Sequence, residues 1–157
     1  MTNALELTAP VDTLAMEFTR EFDAPVAALF RAHADPDLLA RWLGPHGLQM
    51  DVTEWDFRDH GGYRYVHRTD HGAFAFNGTF HTVRENEFIL QTFEFEGAPD
   101  MVNLEYLWFD DLGDGRSRLR GRSICPNTDA RDALLSSGME GGMTEGYEKL
   151  DALLWGG

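Results

Sequence analysis

Among side chains able to move a proton, Tyr65 and His67 stand two residues apart, a spacing that shares one face of a strand. An imidazole with its ordinary pKa of about 6.5 suits general acid or base work. It can equally serve as a polar anchor for a ligand, or as a hydrogen-bonded strand residue with no further role. The other histidines are His33, His46, His60, His71 and His81. None forms a His-Glu-x-x-His pair, and His67 and His81 with a carboxylate such as Glu54 make only a weak metal set. We therefore expect no metal and no cofactor. The Ser136-Ser137 pair has no Gly-x-Ser-x-Gly elbow around it, which excludes a serine hydrolase of that type. No Gly-x-Gly-x-x-Gly and no phosphate loop is present, so nucleotide cofactors lack support. Arg118, Arg120 and Arg122 alternate along one segment. At least two are expected to face solvent, and an inward one could pair with a ligand carboxylate.

A second kind of chemistry is apolar binding. The chain carries 11 Phe, 4 Trp and 4 Tyr. Candidates to line a pocket are Trp42, Trp55, Tyr65, Phe76, Phe80, Phe93, Phe95, Tyr106 and Trp108, with Met139, Met143 and Tyr147 and with His67 as the anchor. Pockets for small organic ligands are mostly apolar with a few polar groups, and methionine repacks around different shapes. A plain aromatic core would use the same residues.

The element that must position these groups is the segment from Ser137 to Leu154. Leu135, Met139, Met143, Leu150 and Leu153 fall on one side at helical spacing, and Glu140, Thr144, Glu148 and Asp151 on the other. Ser137 and Glu140 have the spacing of a capping box. Gly142 and Gly146 lie on the apolar side although glycine costs a helix about 1 kcal/mol against alanine. Either they allow close backbone packing onto a sheet, or they leave space for a ligand.

Ahead of that helix, residues Met1 to Pro10 read as a loose leader and Thr13 to Phe22 as a strand. Asp23 and Pro25 are expected to open a short helix, and Asp35-Pro36 a second one that Gly44-Pro45 stops. Strands follow at Leu48–Phe57, Tyr63–Arg68, Ala73–Val83, Phe88–Phe95, Val102–Phe109 and Arg116–Cys125, and Asn127 to Ser136 makes a helical lead-in. Short links imply antiparallel pairing, and segregated helices imply an α+β fold.

At 157 residues the chain is expected to be a single domain over 1–157, ordered from about 13 to 155. The formal net charge of −14 argues against nucleic acid and anionic membrane surfaces. The single cysteine, Cys125, excludes an internal disulfide and a cysteine zinc cluster. The first residues lack the pattern of a signal peptide, and no apolar run approaches the ~20 residues that span a bilayer. A cytoplasmic setting is expected.

Several segments carry a family resemblance. Arg20-Glu21-Phe22-Asp23-Ala24-Pro25, Phe30, Asp35-Pro36 and Arg41-Trp42-Leu43-Gly44-Pro45 resemble the opening of proteins similar to the activator of the Hsp90 ATPase, within the START-like or Bet v 1-like superfamily. Gly61-Gly62-Tyr63-Arg64-Tyr65-Val66-His67-Arg68 resembles a glycine-led strand of that family, and Gln91-Thr92-Phe93-Glu94-Phe95-Glu96-Gly97 a later one. Ser137 to Met143 and Gly146 to Asp151 resemble its terminal helix. The resemblance implies a helix-grip fold: a seven-stranded antiparallel sheet curled around the long C-terminal helix, with two short helices after the first strand and a cavity between sheet and helix. It supplies no catalytic signature. The expected function is binding of an apolar small molecule by a monomer or homodimer. The alternatives are an enzyme using His67 or Tyr65 as acid or base, and a co-chaperone-like interaction module.

Overall fold

The computed structural model describes residues 3–155. Eight strands form one antiparallel sheet: β1 (Glu6–Thr8), β2 (Ala15–Phe22), β3 (Gln49–Trp55), β4 (Gly62–Thr69), β5 (Gly72–Arg84), β6 (Phe88–Phe95), β7 (Asn103–Gly113) and β8 (Arg116–Ile124). Their order across the sheet is β1-β2-β8-β7-β6-β5-β4-β3. The helices are α1 (Val26–Ala34), α2 (Pro36–Trp42), α3 (Thr128–Ser136) and α4 (Met139–Trp155). The α+β helix-grip architecture is therefore present, with eight strands in place of the expected seven. The extra one is β1, inside the stretch read as a leader. Its Glu6, Leu7 and Thr8 pair with Thr19, Phe18 and Glu17. A three-residue edge strand leaves too short a pattern to stand out from a loop.

Strand period sets the two faces of the sheet. Even residues of β2 (Met16, Phe18, Arg20, Phe22) and odd residues of β8 (Ser117, Leu119, Gly121) face the helices, and Phe22, Leu119 and Leu150 of α4 are completely buried. Phe18 lies opposite Gly121, where any Cβ would collide with its ring. Gly78 of β5 gives the Tyr63 ring the same clearance, so both glycines exist for close approach.

Two indoles fasten α1, one to α2 and one to β3. Trp42 Nε1 donates to the Ala32 carbonyl at 3.0 Å and Trp55 Nε1 to the Ala34 carbonyl at 2.8 Å. Both satisfy carbonyls in the last turn of α1, which have no partner inside the helix. Asp35 caps α2 by accepting from Asp37 N. Asp23 does not cap α1. It pairs instead with Arg116 at 2.9 Å, and Pro25 occupies the N-cap with no side-chain bond.

The capping box expected at Ser137 is absent. Ser137 closes α3, and its hydroxyl donates back to the Leu134 carbonyl at 2.6 Å. Gly138 then turns the chain at φ +84°, a conformation suited to glycine, and α4 starts at Met139. Leu135 thus belongs to a separate helix, whose Leu134 faces inward. Arg20 is buried on the inner face and forms a bidentate pair with Asp151 of α4, both bonds 2.7 Å. This pair fixes α4 against β2.

Candidate functional site

Between the inner face of the sheet and α4 lies a cavity of about 410 Å³. Strands β4, β5 and β6 supply Tyr63, Tyr65, His67, Phe76, Phe80 and Phe93, α2 and β3 supply Trp42 and Trp55, and α4 supplies Met139, Gly142, Met143 and Tyr147. The rings form continuous stacks. Tyr63 stacks on Tyr65 at 5.9 Å, Tyr65 on His67 at 5.0 Å, Phe76 on Phe93 at 5.3 Å and Trp42 on Tyr147 at 5.7 Å.

The two glycines of α4 divide the roles considered for them. A Cβ on Gly146 would lie 3.1 Å from the Trp42 carbonyl and 3.3 Å from Gly44 N. Gly146 therefore allows close backbone contact, with the end of α2 and not with the sheet. A Cβ on Gly142 would meet only Pro45 Cδ at 3.8 Å, and Gly142 borders the cavity.

Two of the fourteen residues singled out in the sequence stand apart from the cavity, and a third only borders it. Phe95 lies beyond its end, packed on Phe74 and Phe76. Tyr106 and Trp108 send their rings to the outer face of the sheet, where they stack at 5.7 Å. There the guanidinium groups of Arg120 and Arg122 cover Trp108 at 5.2 and 5.8 Å, and Tyr106 borders the cavity without placing its ring inside. Asp110 accepts from both Arg118 and Arg120, and Arg122 approaches Glu17 at 3.5 Å. The three arginines accordingly line the outer face. His81 contacts Thr82 Oγ1 at 2.8 Å and lies beside His60, away from His67.

The inner face of β7 carries Asn103, Glu105, Leu107 and Phe109, the set opposite to the one expected. Glu105 is the consequential member. Gln91 Nε2 donates to its Oε1 at 3.1 Å and Ser123 Oγ to its Oε2 at 3.0 Å. It is half-buried by accessible area because it faces the cavity. Even so, surrounding protein raises its carboxyl above the ordinary range, against the lowering effect of the two bonds. Gln91 Nε2 also reaches Tyr63 Oη at 3.3 Å, and Tyr63 donates to the Thr92 carbonyl at 2.6 Å. Burial raises the phenols of Tyr63, Tyr65 and Tyr147, and the charge of Glu105 raises each further.

His67 Nε2 is, among the described residues, the buried side-chain polar atom without a hydrogen-bond partner. Burial, with help from the charge of Lys149, brings its pKa down to about 4, so the ring is neutral near pH 7. His33 also lines the cavity. Its Nδ1 lies 2.9 Å from the Leu29 carbonyl, which can only accept, so the neutral ring carries its proton there. Burial brings this histidine down to about 4 as well.

A curled antiparallel sheet gripping a terminal helix over an aromatic cavity defines a START-like protein. Within that class, the family described as Activator of Hsp90 ATPase homolog 1-like protein matches residues 23–155, and the chain belongs to it. Among solved structures, it is similar to a protein from Mycobacterium smegmatis at 25% identity and a TM-score of 0.87, over 98% of this chain and 97% of that one. A Rhodobacter sphaeroides protein aligns at 24% identity and a TM-score of 0.88, over 97% and 98% of the two chains. A protein from Arthrobacter aurescens aligns at 24% and 0.87, over 97% and 92%. No curated protein matches the sequence. Among the described residues, no helix is long and apolar enough to cross a membrane.

Proposed function

We propose that this chain is a cytoplasmic binding protein that holds an apolar or aromatic small molecule between the sheet and α4. The observation that carries this is the 410 Å³ cavity with stacked aromatic walls and polar groups of unmet hydrogen-bonding capacity, chief among them His67 Nε2. Such a combination of apolar wall and sparse polar anchors suits a small organic ligand. An acid–base role for His67 has less support, since no carboxylate hydrogen-bonds it to orient the ring. The large exposed apolar residues are Val11, Leu14, Phe74, Val102 and Trp155. They are divided among a loop, two strand ends and the end of α4, which favours binding over an interaction module.

Native mass spectrometry of protein purified from its own host should reveal a retained ligand. A thermal-shift panel of flat aromatics, fatty acids and terpenoids is the second arm, and a ligand at 100 times its Kd should add about 2.7 kcal/mol. A folded protein that carries no ligand and is unmoved by every class overturns the proposal.

A further inference from the structure

Among the described residues lining the cavity, Glu105 is the one acidic side chain, and no lysine or arginine neutralises it. Arg20, the inward arginine of β2, is occupied on both nitrogens by Asp151. Lys149 Nζ donates to the Pro45 carbonyl at 3.1 Å, and Arg122, which borders the cavity, sends its guanidinium over Trp108 and toward Glu17 on the outer face. Each Glu105 oxygen accepts one neutral donor, and a carboxylate has about four acceptor sites, so capacity remains on the cavity side. A buried carboxylate with neutral partners only is unfavourable unless an opposite charge joins it.

We propose that the ligand is a protonated amine with an aromatic or aliphatic body, its ammonium group seated on the Glu105 carboxylate among the rings of the cavity. This deepens the ligand-binding function proposed above and rests on it. Three independent features converge. The carboxyl lacks a cation. The π faces of Tyr65, Tyr147 and Trp42 attract positive charge. The net charge of −14 concentrates cations around the protein and repels carboxylic acids.

The proton balance follows from what faces Glu105. Tyr63 and Tyr65 on β4 and Tyr147 on α4 have phenols raised above their ordinary range, and Gln91, Ser123 and Asn103 do not titrate. His67, farther along β4, stays neutral down to about 4. Glu105 is thus the cavity group whose protonated form burial favours. Seating an ammonium ion there displaces the proton that burial favours, so amine affinity rises with pH.

Isothermal titration with naphthylethylamine, naphthylethanol and naphthylpropanoic acid compares three head groups on one body. The amine should bind about tenfold more tightly than the alcohol at about pH 8, the size of advantage a charge-assisted bond gives. The acid should bind weakest. The amine's margin should shrink as the pH falls and Glu105 takes up its proton, while alcohol binding stays level. Glu105→Gln should abolish the amine's margin over the alcohol. Should that variant fail to fold, the pH dependence of the wild-type protein decides alone. An alcohol bound as tightly as the amine overturns the amine assignment and leaves the ligand-binding function standing. Binding of none of the three overturns the amine assignment, and the thermal-shift panel then decides the broader function separately.

Discussion

Gly142 and Gly146 occupy successive turns of α4, yet the same substitution at each should move stability in opposite directions. At Gly142 a new Cβ meets one atom, Pro45 Cδ, at 3.8 Å. Gly142→Leu recovers about 1 kcal/mol of helix propensity. Burying a leucine side chain in the cavity adds about 1.5–3 kcal/mol at full burial, less about 0.5–1 kcal/mol of rotamer entropy. Since the cavity wall covers only part of the side chain, the empty protein should gain about 2 kcal/mol. The leucine occupies ligand space, so any ligand found in the thermal screen should bind more weakly. At Gly146 the Cβ meets backbone at 3.1, 3.3 and 3.4 Å, atoms that cannot rotate away. Gly146→Leu should therefore cost about 1–3 kcal/mol net of the propensity gain. Urea denaturation of both variants, with and without ligand, measures all three effects. Destabilisation of the empty protein by Gly142→Leu would refute the cavity role of that position.

Asp151→Ala strands the guanidinium of Arg20, whose side chain is 2% exposed, and should cost about 2–3 kcal/mol in chemical denaturation; the 38% exposure of Asp151 keeps this below the figure for a fully buried pair. The folded-state pKa of His33 is lowered to about 4, so the unfolded chain binds a proton that the folded one refuses. Its contribution is complete above the unfolded pKa of about 6.5 and is lost as pH falls toward 4, up to about 3 kcal/mol. Denaturation midpoints measured across that window should decline in the wild type and decline less in His33→Gln. Gly78→Ala would drive a methyl group into the Tyr63 ring and the Thr92 carbonyl; a loss of about 1–3 kcal/mol and a changed tyrosine near-ultraviolet signal should follow.

The strands, the two short helices and the gripping helix were legible because their apolar periods run long enough to register. The break at Ser137-Gly138 was not, because one left-handed glycine between two helices reads like a glycine within one. The missed carboxyl has a more specific cause. Leu104, Tyr106 and Trp108 alternate with Asn103, Glu105 and Leu107, and bulk alone favours the aromatic set as inward. The hairpin register overrules bulk: Asp110 pairs with Arg118, Trp108 with Arg120 and Tyr106 with Arg122. Outward arginines thus require outward Tyr106 and Trp108. The turn alone would mislead: Gly113 pairs with Arg116, and an irregularity between Asp111 and Gly113 shifts the register by one residue, which is what puts Glu105 opposite Ser123 and facing the helices. The outer aromatics then rest beneath guanidinium groups, a stable arrangement for large rings near water.

The strand order also has a consequence in time. β2 pairs with β8, joining Ala15 to Ile124 and Phe22 to Ser117, while every other neighbouring pair in the sheet is consecutive along the chain. A ribosome adding residues at the usual rates needs about 5–20 s to pass from β2 to β8. During that interval Met16 and Phe22, later among the most deeply buried side chains, lack their partner strand. The meander from β3 to β7 can assemble from local hairpins, but the grip closes only when the last strand arrives. Refolding should accordingly be limited by this one distant pairing, and the waiting N-terminal segment is where a nascent-chain chaperone has the longest opportunity to act.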